Sequence, residues 1–213
     1  MGNEQHSLAT YVSDMLALER HIRVPFETQS KDKDIASDAG AGPLVAEMLQ
    51  VCDDHVERLD RCLETLGGHE LSPVKSAVTQ IEGAVAGAID KMRKTKVSKS
   101  LRDDYTALAL CSAGYSALLA TATAMHDETV AALAESCLQD YAHLVMRIGE
   151  TLPTVVVREL ADIGLDVDPL VGETARQRVS RSWSAGARDV RAAQQPGSSY
   201  GTVDTPTRSS SIP

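Results

Sequence analysis

The sequence predicts an all-α protein: a four-helix bundle with an extra helical insertion between its second and third helices, followed by a disordered C-terminal tail. Three observations predict it. Apolar residues recur at three- and four-residue steps over four long stretches, the spacing that lines one face of a helix. The chain of 213 residues is 43% hydrophobic but only 3% aromatic. Its core must therefore be built from Ala, Val, Leu, Ile and Met, which suits closely approaching helices. After about residue 166 the composition shifts to Gly, Ser, Pro, Thr, Gln and Arg. That shift divides a helical domain over residues 1–165 from a tail over residues 166–213.

The first helix is predicted from about Ser7, a good N-cap, to Ser30. Leu8, Val12, Met15, Glu19, Ile22 and Phe26 form its inward stripe, with Pro25 expected to disturb the ladder. Glu19 is the polar intruder on that stripe. The stretch KDKDIASDAGAG reads as a connection. The second helix is predicted to start near Pro43 and to stop at Gly67-Gly68. Met48, Cys52, His55, Leu59, Cys62 and Leu66 share its inner face, so His55 points into the core at mid-helix.

The insertion follows, with Val74, Val78, Ile81, Val85, Ile89 and Met92 at helical steps and a basic run, KMRKTKVSKSLR, at its end. The third main helix, over about residues 101–125, is nearly apolar all round and is expected to be the most buried. Tyr105, Leu108, Ser112, Tyr115, Leu119 and Ala122 make its stripe. A turn at His126-Asp127-Glu128 leads to the fourth helix, over about 128–151, with Leu133, Cys137, Asp140, Leu144 and Ile148 inward. Residues 153–163 add a short final helix. In the tail, Val179, Trp183, Ala187 and Val190 fall on one face of a short Arg-bearing helix if that segment orders at all.

Several function classes are excluded or made unattractive. No run is apolar for long enough to cross a membrane. The N-terminal MGNEQHSLATYVSD has neither the basic start nor the apolar stretch of a signal peptide. Cys52, Cys62, Cys111 and Cys137 form no CxxC pair and sit on apolar stripes, as reduced core thiols of a cytoplasmic protein would. The formal charge is −9. From Thr174 onward six Arg stand against Asp189 and Asp204, about +4, which leaves about −13 on the rest. An acidic body disfavours nucleic acid as a partner. No nucleophile–base arrangement, phosphate-cradling loop or dinucleotide fingerprint occurs.

What remains is a constellation at half height. Glu19, His55, Tyr115 and Asp140 come from four different helices, and Cys52 and His143 lie three residues from two of them. Buried carboxylates need a partner or a cation. Two readings stay open: a polar hydrogen-bond network in the core, or a metal site held by Glu19, His55, Asp140 and His143.

ALERHI at Leu16–Ile22, less its first residue, DDHVERLDRCLETLGG at Asp53–Gly68, AVTQIEGAV in the insertion and LQDYAHL around Asp140 resemble the ferritin-like superfamily. Within it they are most similar to the bacterial YciE/YciF-type stress-response branch. The resemblance implies a ferritin-like bundle over about residues 7–160, a homo-oligomer such as a dimer, and an iron site. Glu19 matches the first-helix carboxylate, Cys52-x-x-His55 replaces Glu-x-x-His, and Asp140-x-x-His143 has Asp for Glu. Where the third helix should supply a carboxylate it has Cys111, Ser112, Gly114 and Tyr115. The expected function is therefore a stress-associated protein with a degenerate dinuclear site, acting through assembly or partner binding, the tail being one route to a protein partner. The alternative is an iron-dependent oxidase or peroxide-consuming enzyme with a mononuclear or incomplete centre.

Overall fold

The computed structural model of the chain describes residues 2–67 and 97–193. All regular structure among them is helical: α1 (Gly2–Ser30), α2 (Lys33–Ala36), α3 (Ala41–Thr65), α4 (Val97–Ala124), α5 (Glu128–Asp162) and α6 (Leu170–Ala193). The predicted insertion and its basic run up to residue 96 lie outside the described residues.

Four long helices close a ring of contacts: α1 packs on α3 and α4, and α5 packs on α3 and α4. The core fills the middle of that ring. From α1 it takes Leu8, Val12, Met15, Ile22 and Phe26, the stripe read from the sequence. Met48, Cys52, His55 and Leu59 of α3 are likewise buried, after which the stripe drifts to Leu63 instead of Cys62. Such drift follows from 3.6 residues per turn against a seven-residue repeat.

The elements end where local chemistry says they should. Gly67 follows α3 with φ of 70°, a backbone that L side chains avoid. Between α4 and α5, His126 holds φ of 58° and Asp127 caps α5 by accepting the Val130 N–H at 3.0 Å. The predicted 31–42 connection contains α2, capped by Asp32, whose carboxylate accepts from the N–H groups of Asp34 and Ile35. Pro25 and Pro153 both sit inside continuous helices. The fourth helix therefore does not break at residue 151 but runs to Asp162, absorbing the predicted final piece. Each proline costs one backbone bond, and packing on both sides keeps the axis going.

Three expectations are corrected. The tail does not lose structure at residue 166: α6 extends over 24 residues and packs on α5, with Trp183 against Tyr105 at 6.5 Å between ring centroids. Gly172 is buried against Thr154 of α5 and Val179 is half-buried, while Trp183, Ala187 and Val190 stay exposed, a contact that a composition count does not see. Residues beyond 193 lie outside the described set. Nor is α4 buried all round. Leu108, Cys111, Tyr115, Leu118 and Ala122 are inside, while Ala109, Leu110, Ala113, Ala117 and Ala120 are exposed. This helix is also long and apolar enough, by length and composition, to cross a membrane, contrary to the sequence reading. Its alanines meet that test while one face is seated on α1 and α5.

Candidate functional site

At half height of the ring, Glu19 of α1 is wholly buried and its carboxylate is surrounded by donors. Oε1 accepts the Tyr115 hydroxyl at 2.6 Å and lies 3.2 Å from His55 Nδ1. Oε2 accepts the Tyr141 hydroxyl in a short bond and the Cys52 thiol at 3.3 Å. Four donors from α3, α4 and α5 thus converge on one carboxylate of α1. A buried carboxylate left alone would be very costly, and this is the compensation that keeps it.

His55, also fully buried, sits between two carboxylates. Its other ring nitrogen, Nε2, is 3.2 Å from Asp140 Oδ2. Asp140 is at the rim, with 44% of its side chain exposed, and its Oδ2 is 3.9 Å from Arg58 Nη1, which in turn bonds Asp54 at 3.2 Å. A continuous polar string therefore runs from solvent at Asp54 and Arg58, through Asp140 and His55, to Glu19. Tyr141 and Tyr115 wall the imidazole edge-on, with centroids 4.7 Å and 5.6 Å away.

The electrostatics follow from this packing. Burial works against the imidazolium of His55, but the Cys137 sulfur and the Glu19 carboxylate beside it favour the charge, and the balance holds it up at about 10. Burial next, and the Glu19 charge after it, push the Tyr115 and Tyr141 hydroxyls and the Cys52 and Cys111 thiols well above their ordinary values. These groups stay protonated, so Tyr115, Tyr141 and Cys52 serve as donors, and the thiols are poor nucleophiles.

Of the four residues read as metal ligands, three meet: Glu19, His55 and Asp140. They do not share one point. Glu19 faces Nδ1 and Asp140 faces Nε2, on opposite sides of one ring, so a cation on either nitrogen takes only one of the two carboxylates as its neighbour. His143 is exposed on the outer face of α5. The reason is register. The buried stripe of α5 is Val130, Ala134, Cys137, Tyr141, Leu144 and Ile148, which puts Tyr141 inward, Asp140 at the edge and His143 outside. Among the described residues no three His, Cys, Asp or Glu side chains are arranged to hold a metal ion. A bridged pair of irons needs carboxylates from facing helices, and α4 offers Tyr115 there. The residues present do not fit that group.

Sequence reasoning missed Tyr141. Its signal was available: Cys137, Tyr141 and Leu144 continue a four-then-three spacing that Asp140 breaks. It also missed a second buried polar pair, Gln29 and Asp104, joined by a 2.8 Å bond from Gln29 Nε2 to Asp104 Oδ1. Gln29 extends the α1 stripe one step past Phe26, and Asp104 lies four residues before Leu108, so both are inward by spacing alone.

No protein-family model matches the chain, and none of the curated proteins does. Among solved structures it is similar to a protein from Xanthomonas campestris pv. campestris, with 19% sequence identity and a TM-score of 0.61. The match covers 76% of this chain and 99% of that one. At that identity the likeness establishes the fold alone: an all-helical arrangement that another natural protein uses almost from end to end.

Proposed function

We propose that this is a ferritin-like four-helix-bundle protein whose dinuclear site has been replaced by a protein-only hydrogen-bond network, and that it acts through assembly and partner binding. The observation that carries the proposal is the saturation of Glu19. Both of its oxygens are already taken, by two tyrosine hydroxyls, a thiol and an imidazole. A cation could use this carboxylate only by displacing the Tyr115 and Tyr141 hydroxyls, at a cost of roughly 1–3 kcal/mol for each one stranded. Support for the assembly half comes from α4. Its exposed strip Ala109, Leu110, Ala113, Ala117 and Ala120 carries no charge in a chain of net charge −9, a surface that a second copy would cover.

The test is metal content by plasma mass spectrometry after expression in iron-supplemented medium, on wild type and on His55→Ala, with molecular mass by light scattering on the same samples. The proposal expects no stoichiometric metal in either protein and a wild-type mass above that of one chain. About one iron or zinc per chain, lost in His55→Ala, would overturn it and favour the oxidase reading.

A further inference from the structure

About ten residues beyond Glu19 on α1, some 15 Å along the helix axis, Gln29 meets Asp104 of α4. Both are buried, at 4% and 2% exposure. Gln29 Nε2 donates to Asp104 Oδ1 at 2.8 Å. Among the described residues, the buried side-chain oxygens without a hydrogen-bond partner are Gln29 Oε1 and Asp104 Oδ2, the remaining oxygen of each member of this pair. Two empty acceptors therefore sit on one carboxamide and one carboxyl that already share a bond.

We infer that Asp104 is a protonated carboxylic acid in the folded protein below neutral pH, its Oδ2–H supplying the donor that Gln29 Oε1 lacks, so that acid and amide close a two-point pair. One proton converts both orphan acceptors into a bond, and no charge is left inside. The ionised alternative leaves a buried carboxylate with a single neutral donor. The cations at this end of the ring lie outside the pair: Arg102 bonds Asp103, Arg158 of α5 bonds Asp38, Arg23 of α1 and Lys31 after it bond Glu27, and the Lys33 and Lys99 side chains are exposed. The carboxylates nearby are Asp103 beside it on α4, Glu159 of α5, held by Ser98, and Asp32 capping α2. Burial first, then the Asp103 charge, outweigh the Gln29 bond and raise Asp104 to about 7.

A carboxyl whose proton is held more tightly in the folded state adds stability that is complete below the unfolded value near 3.8 and is lost as pH rises to about 7. Above that pH the contact between the end of α1 and the start of α4 carries a buried charge. The junction is thus a pH-sensitive clasp, separate from the Glu19 network.

The test uses the full chain. Urea unfolding at pH 5 and pH 8 is compared for wild type and Asp104→Asn, a neutral side chain that can still make both bonds to Gln29. Each unit of raised pKa is worth tenfold in the folding equilibrium, so the variant should gain on wild type by about tenfold or more between the two pH values. A second readout does not depend on the variant folding: infrared absorption of a protonated carboxyl in wild type at pH 6, lost as the pH passes 7. Absence of that band, or an identical pH response in both proteins, would overturn the inference. So would stability that rises with potassium or sodium in wild type alone, since a cation would then be filling the two acceptors.

Discussion

Replacing Glu19 with Gln keeps the shape of the side chain and removes both its charge and half of its acceptor capacity. In the wild type, Oε1 serves Tyr115 and His55 while Oε2 serves Tyr141 and Cys52. In the variant one of these positions becomes an amide nitrogen that cannot accept. If it replaces Oε2, the Tyr141 hydroxyl loses its acceptor and the Cys52 thiol keeps only the Glu19 backbone carbonyl. If it replaces Oε1, Tyr115 does, and an N–H is aimed at His55. Either way the His55 imidazolium loses its buried counter-ion. A hydrogen bond to a charged group contributes about 1.5–3 kcal/mol, and breaking a buried ion pair by removing one partner costs about 3–5 kcal/mol. Because these overlap, the expected loss is about 3–5 kcal/mol, a large share of the roughly 5–15 kcal/mol that holds a domain folded. Equilibrium unfolding in urea, followed by helical circular dichroism, measures it. A loss below about 1 kcal/mol would refute the assignment of Glu19 as the common acceptor of the network.

Three further outcomes are expected. His55 is held above its ordinary value, so its contribution is complete below about 6.5 and erodes as pH rises toward about 10; His55→Asn should be less stable at pH 7 and lose that part of the alkaline slope, and unchanged slopes would contradict it. Gly42→Ala places a Cβ 2.6 Å from the Ala36 carbonyl oxygen, a backbone atom that cannot swing away; despite the better helix propensity of Ala, a net loss of about 1–3 kcal/mol is expected in the same urea assay, and a gain would show that α2 shifts freely. Trp183 is the single tryptophan of the chain and reports on α6, which is largely exposed; its fluorescence should change at lower urea than the helical signal, whereas coincident transitions would make α6 an integral part of the core.

Much of the site was legible because spacing is a local property. Glu19 and His55 each interrupt an apolar stripe, and both prove fully buried. Tyr115 was placed inward correctly by the same rule. Asp140 and His143 fared differently. Cys137, Leu144 and Ile148 of the expected α5 stripe are buried, but the inward residue between Cys137 and Leu144 is Tyr141, which leaves Asp140 at the edge and His143 outside. Along α4 the difficulty was of another kind. When nearly every residue is apolar, composition does not say which side is covered, and the exposed Ala109–Leu110–Ala113 strip could not be told from the buried one.

By itself the sequence determined that the chain is helical, where most of the helices stop, and that α1 and α3 carry a carboxylate and an imidazole into the core. Those follow from side-chain periodicity, caps and glycine backbones, which act over a few residues. Only the tertiary structure decided that the two nitrogens of His55 face different carboxylates, that two tyrosines close on Glu19, that Gln29 finds Asp104, and that residues 170–193 fold back on α5. Each of these depends on the rotation and axial offset of one helix against another, which packing across the whole core sets and no local pattern encodes.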